Sequence, residues 1–208
     1  LGLAYLRGGQ VDDAIALLRR ACKAKPDYLA ACLALASAYE EQGHVLEALD
    51  QLQTAHQNDP GEVPLLFAIG FSLERLQRSE DALEYYHDAV ERDDGFTPAR
   101  ERIAALSVLR DDLQEAITQY QALRRIWPEK AWIRSALAHL YHRSGEPLRA
   151  IEEYESAIGM EPENWSLLDD EVEALVEAGQ IRDAIERLHT LVENQGPFAD
   201  LYCRLGTL

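Results

Sequence analysis

Residues 33–60 read LALASAYEEQGHVLEALDQLQTAHQNDP. Cys32, Leu35, Ala36 and Tyr39 fall on one face of a predicted helix running from Leu29 to Gln42. Gly43 then opens a tight turn, which a residue without a Cβ enters without a clash. Ala48, Leu52 and Ala55 form the stripe of a second helix, Leu46 to Asn58, and Pro60 stops it. Two apolar stripes joined by so short a turn describe a helical hairpin.

Outward from this stretch the pattern repeats at a fixed period of about 34 residues. Gly2, Ala36, Gly70, Ala104, Ala138, Val172 and Gly206 hold one phase, and Ala14, Ala48, Ala82, Ala116, Ala150 and Ala184 hold another. Twelve residues after the second set come Pro26, Pro60, Asp94, Pro128, Pro162 and Gly196. Five residues before it stand Gly9, Gly43, Gln77, Asp111, Gly145 and Gly179. Small side chains let helix axes approach to roughly 8–10 Å. A bulky one there costs on the order of 1–3 kcal/mol through overpacking. A period of this length marks a stacked array of helix pairs rather than a globular catalytic domain.

With those residues in hand, the chain resembles the tetratricopeptide repeat family, whose pattern is met at 33–60 and again at 137–162, LAHLYHRSGEPLRAIEEYESAIGMEP. The resemblance covers the whole chain and implies an all-α, right-handed superhelical α-solenoid of antiparallel helix pairs. The register divides this single repeat domain into a partial repeat 1–28, repeats 29–62, 63–96, 97–130, 131–164 and 165–198, and a partial repeat 199–208. Leu1, Gly2 and Tyr5 enter in mid-helix, and Tyr202, Leu205 and Gly206 begin a seventh repeat. The expectation is a segment of a longer array, or a chain whose ends are not all present. A helix from about Ala199 serves as a makeshift cap, and the exposed first helix favours end-to-end homo-oligomers.

In repeat 97–130, Arg100 and Ser107 replace apolar residues and Asp111 replaces the turn glycine. The stretch from Thr97 to Pro128 is therefore expected to pack least tightly.

Composition narrows the function. Against 20 basic residues stand 37 acidic ones, a formal net charge of -17, which opposes nucleic acid and anionic lipid and favours a neutral or basic protein or peptide partner. Cys22, Cys32 and Cys203 form no CxxC pair, which reads as reduced thiols and favours a reducing compartment such as the cytoplasm. No apolar run approaches the roughly 20 residues of a membrane span. The GxxxxGK[ST], GxSxG, HExxH and GxGxxG motifs are all missing, so neither an enzyme nor a cofactor is expected. His139 and His142, with Asp169 and Glu173 at nearby phases, could hold a divalent metal, but histidines that merely line a groove are commoner, and no metal site is assigned.

In the family, one face of each first helix lines the concave side of the superhelix. Mapped onto this chain, the resemblance implies a peptide-binding groove formed by Leu33, Phe67, Phe71, Arg102, Val108, Leu109, Trp132, His139, His142, Arg143, Asp169 and Glu173. Phe67 and Phe71, one turn apart, are the expected apolar anchors, with Arg102 and Arg143 selecting charge. Some members grip a terminal carboxylate with lysine, asparagine and arginine at set phases. Here those phases read Leu33, Phe67, Glu101, Ser135 and Asp169, and Ser37, Phe71, Ala105, His139 and Glu173, without the lysine or asparagine. The leading reading is a non-catalytic scaffold. An array that self-associates through its ends and a docking segment of a longer enzyme stand as alternatives.

Overall fold

In the computed structural model, residues 2, 5, 8–195 and 206–207 are described. Among them eleven helices are complete and no strand occurs. They are α1 (Val11–Ala24), α2 (Leu29–Glu41), α3 (Val45–Asn58), α4 (Val63–Arg75), α5 (Ser79–Arg92), α6 (Thr97–Leu109), α7 (Leu113–Ile126), α8 (Ala131–Arg143), α9 (Pro147–Met160), α10 (Trp165–Glu177) and α11 (Ile181–Gln195). The expected cap helix from about Ala199 lies outside the described residues.

The turn within each hairpin repeats to the atom. Gln10, His44, Arg78, Asp112, Glu146 and Gln180 donate their backbone N–H to the carbonyls of Tyr5, Tyr39, Leu73, Ser107, Tyr141 and Leu175, at 2.8–3.0 Å. This six-to-one bond closes a helix end by satisfying an orphan carbonyl, and it needs a left-handed residue just before the donor. Gly9, Gly43, Gly145 and Gly179 supply it with φ of 74–79°, and Gln77 and Asp111 adopt the same conformation at 62° and 60°. Helix starts are marked by Pro64 and Pro147 in the first turns of α4 and α9, where a missing N–H goes unnoticed. At α7 the Asp112 carboxylate accepts from the Glu115 N–H at 3.2 Å.

Two compact units divide the chain between Leu106 and Ser107, inside α6. In the first, residues 1–106, each helix from α1 to α5 packs on the next, and α2 also touches α4. Its core holds Leu35, Leu52, Leu65, Leu66, Ile69, Tyr86 and Ile103. In the second, residues 107–208, α7 to α11 pack in the same succession, and α8 touches α10. Leu123, Ile133, Leu137, Tyr154 and Leu188 are central there.

The geometry explains why one phase stays small. A Cβ added to Gly70 would stand 2.6 Å from Cε1 of Tyr86, and one added to Gly2 would stand 2.7 Å from Cγ of Leu18. In both cases the obstructing side chain comes from the second helix of the same hairpin. Tyrosines three residues after the small phase tie neighbouring hairpins together. Arg19 Nε donates to Tyr39 Oη at 3.1 Å, and Gln121, three repeats further along at the same phase, donates to Tyr141 Oη at 2.6 Å.

Arg100 and Ser107, which stand in repeat 97–130 where apolar residues are expected, are both buried. Arg100 Nε donates to the Asp94 carbonyl at 2.9 Å, and its guanidinium pairs with the Asp94 carboxylate, so the polar group is satisfied locally.

Candidate functional site

In the first unit the site grows from α4. Phe67 and Phe71 lie one turn apart with stacked rings, centroids 6.4 Å apart. Phe67 is half-buried, with Tyr86 at 5.6 Å and Phe96 edge-on at 5.6 Å, while Phe71 keeps 36% of its surface exposed. The two expected anchors differ in exposure: Phe67 is the base of an aromatic cluster and Phe71 its open top. Leu33, on α2, is also half-buried against the core of this unit.

Beside the cluster, Glu74 gathers three groups. Tyr86 Oη donates to Glu74 Oε2 at 3.0 Å, and Arg102 Nε donates to the same oxygen at 3.0 Å, its terminal nitrogen pairing with Oε1. Burial, reinforced by the Glu74 charge, pushes the Tyr86 phenol well above its ordinary range, so the hydroxyl stays a donor. The hydrogen bond to Glu74 holds the Arg102 guanidinium charged. Arg102 is thus already committed to a carboxylate of its own chain.

In the second unit the expected residues separate into local pairs. Trp132, 45% exposed on α8, meets Tyr120 edge-on at 6.3 Å. His139 Nδ1 hydrogen-bonds with Tyr154 Oη at 2.9 Å, and its Nε2 lies 3.7 Å from Asp170 Oδ2. His142 Nε2 lies 3.0 Å from Glu177 Oε2. The histidines thus meet Asp170 and Glu177, on the same helix as the Asp169 and Glu173 that their phases suggested. Glu173 is exposed and Asp169 half-buried on α10. Among the described residues no group of three or more histidine, cysteine or acidic side chains is gathered to hold a metal ion. Arg143 is paired with Asp111 at 2.7 Å, Val108 packs against the core of this unit, and Leu109 is 82% exposed.

Burial raises the Asp170 carboxyl above its usual range, with His139 opposing and Asp169 and Glu173 adding to the effect. It also raises the Tyr154 phenol, together with the charges of Asp170 and Glu173. This face presents an aromatic ring and acidic groups tempered by two imidazoles.

Cys22 is half-buried and Cys32 buried, both as free thiols. Burial, with the neighbouring Cys32, pushes Cys22 up to about 12. No described helix is long and apolar enough to cross a membrane.

One residue escaped the sequence reading although its signal was present. The phase of Leu35, Ile69, Ile103 and Leu137, all fully buried, is continued by Glu171, also fully buried. A charged residue in an aliphatic register is visible without coordinates.

The tetratricopeptide repeat description matches residues 1–63 and 67–131, and again 133–164. Subunit 3 of the anaphase-promoting complex of Schizosaccharomyces pombe is 22% identical over 157 residues. That match takes in 76% of this chain but 24% of the relative, so the chain spans about a quarter of that protein's length. The crystal structure of MamA superposes with a TM-score of 0.69 at 18% identity, covering 78% of this chain and 95% of MamA. YrrB, a TPR protein with an unusual peptide-binding site, gives a TM-score of 0.64 at 21% identity, covering 81% of this chain and 87% of YrrB. At these identities the superpositions speak for the fold. The repeat turns, the helix pairs and a family match over most of the sequence agree: the chain belongs to the tetratricopeptide repeat family.

Proposed function

We propose that this chain is an interaction scaffold that receives a neutral or basic polypeptide segment, with Phe71 as the principal apolar anchor. The observation that carries this reading is the aromatic cluster on α4, where Phe71 stands partly exposed on a base already ordered by Phe67, Tyr86 and Phe96. An aromatic ring held in place before binding loses little side-chain freedom on contact, which is how a few residues come to dominate an interface. The Glu74–Arg102 pair at its edge offers a polar rim. In the second unit Trp132 offers an anchor of the same kind, with Asp170, Glu173 and Glu177 supplying negative charge.

The net charge of -17 favours basic or neutral segments over acidic ones. Family membership supports recognition as the output, and YrrB is a precedent within the fold for peptide binding. The matched subunit of the anaphase-promoting complex is a precedent for a place in a larger assembly.

A photo-crosslinking residue placed at position 71 and activated in the native host identifies the captured polypeptide. The purified pair is then compared with the Phe71→Ser chain. Affinity at least tenfold weaker is expected, since an anchor of this kind contributes over about 1.4 kcal/mol. Unchanged affinity, with the variant folded, would remove Phe71 from the interface.

A further inference from the structure

Cys22 and Cys32 occupy two phases of the repeat that meet where the second helix of one hairpin faces the first helix of the next. The meeting is seen directly further along, where Arg124 of α7 and Arg134 of α8 hold the same two phases and both pair with Glu153, the latter at 3.0 Å. At other junctions these phases carry His56 and Leu66, Val90 and Arg100, and Ile158 and Leu168. Between α1 and α2 both are cysteine. Two small side chains where other junctions place larger ones leave room, and a cavity of about 740 Å³ lies there, lined by both cysteines together with Arg19, Lys23, Tyr39 and residues of α3.

Both are free thiols, Cys22 half-buried and Cys32 buried, with Cys32 Sγ donating to the Pro26 carbonyl at 3.7 Å. They stand near enough to bear on each other's ionisation, Cys32 adding to the burial that pushes Cys22 up to about 12. We infer that Cys22 and Cys32 are a dithiol site, which a small disulfide entering the cavity oxidises to a Cys22–Cys32 bond joining α1 to α2. The cavity falls in the volume range of ordinary small-molecule sites, about 300–1,000 Å³, so an oxidant of that kind has room beside Cys22 in the folded chain.

The step balances with a disulfide of the glutathione type as oxidant. Cys22 Sγ, once deprotonated, attacks one sulfur of the small disulfide, whose S–S bond breaks as the first thiolate leaves. Cys32 Sγ, deprotonated in turn, attacks Cys22 Sγ of the mixed disulfide and expels the second thiolate. Two electrons pass to the oxidant, and the two protons released by the cysteines end on two small thiols. A thiol held protonated attacks slowly near neutral pH and is a poor leaving group when its disulfide is reopened. The bond is therefore slow to form and slow to open, a lasting cross-link rather than a turnover site.

The test incubates the whole folded chain with graded ratios of oxidised to reduced glutathione, blocks the remaining thiols by alkylation after an acid quench, and maps the peptides by mass spectrometry. An internal Cys22–Cys32 link, two hydrogens lighter than the dithiol, is expected. Its rate of formation should climb about tenfold per pH unit between roughly 7 and 9, and Cys203→Ser should leave it unchanged. Cys32→Ser should stop at a glutathione adduct on Cys22, and Cys22→Ser should leave the buried Cys32 about tenfold or more slower to react. Circular dichroism checks that each variant is folded, and where one is not, the peptide map of the parent decides alone. Glutathione adducts on both cysteines of the parent with no internal link would overturn the proposal. So would a link to Cys203 in place of the pair, undiminished reactivity of Cys32 in the folded Cys22→Ser chain, or a link that forms only in urea.

Discussion

The ring of Tyr86 lies so close to Gly70 that a Cβ at position 70 would stand 2.6 Å from Cε1 and 2.9 Å from Cδ1. Tyr86 is fully buried and hydrogen-bonded to Glu74, so its ring has nowhere to retreat. Gly70→Ala is therefore expected to destabilise the chain. Overpacking costs about 1–3 kcal/mol, against roughly 1 kcal/mol of regained helix propensity. Gly159, inside α9, has nothing within 4 Å of an added Cβ, so Gly159→Ala should stabilise by a few tenths to about 1 kcal/mol. Urea unfolding of the two variants should give midpoints on opposite sides of the parent. Shifts of the same sign would show that crowding at Tyr86 does not decide the outcome.

The repeat was legible because a solenoid poses the same packing problem in every hairpin. Gly2 and Gly70 must stay small against Leu18 and Tyr86, and that constraint is written in residue type. The helix expected from Leu29 to Gln42 is found at Leu29–Glu41, and the one expected from Leu46 to Asn58 at Val45–Asn58. The site was legible only as a list of phases. Phase tells which face of a helix a residue occupies, but not that Arg102 reaches back to Glu74 on the preceding hairpin, or that His139 turns to Asp170. Those pairings depend on rotamers and on the offset between hairpins, which no period encodes.

Gln77 closes its turn with φ of 62°, where the equivalent positions 9, 43, 145 and 179 are glycine. A side chain in the left-handed region costs roughly 1–2 kcal/mol, partly offset by the lower unfolded-state entropy of a residue other than glycine. Gln77→Gly is expected to raise stability by about 0.5–1 kcal/mol without altering the Arg78–Leu73 backbone bond. Asp111, at 60°, is a poorer choice because it also holds Arg143. A thermal melt of Gln77→Gly at or below the parent's would mean that the turn is not strained.

Glu153 is buried on α9 and pairs with Arg124 of α7 and with Arg134 of α8, the latter at 3.0 Å. One carboxylate therefore joins three helices. Glu153→Leu leaves two part-exposed arginines facing each other, with an expected loss of about 1–3 kcal/mol. In the Glu153→Leu background, Arg124→Met should cost less than in the parent, giving a coupling energy of about 1 kcal/mol or more. Strictly additive losses in urea would mean that the cluster contributes only through packing.

Glu171 gives stability a pH dependence whose sign is fixed by burial. Burial pushes its carboxyl up to about 7 from an ordinary 4.5, with Arg187 opposing and Glu155 adding to the rise. Because the folded pKa is raised, the favourable contribution is complete below about 4.5 and is lost as pH climbs to about 7, beyond which it is flat. A shift of this size corresponds to a loss of roughly 3 kcal/mol. Glu155 from α9 and Asp183, Glu186 and Arg187 from α11 line a cavity with Glu171, and Asp170 titrates nearby, but all are common to parent and variant and cancel to first order in a difference. Glu171→Gln, neutral at every pH, should therefore gain on the parent by about 2 kcal/mol in urea unfolding as the pH rises from roughly 5 to roughly 8. A difference that stays level across that range would return the Glu171 carboxyl to the ordinary carboxylate range, and a difference of opposite slope would mean that Arg187 more than compensates for burial.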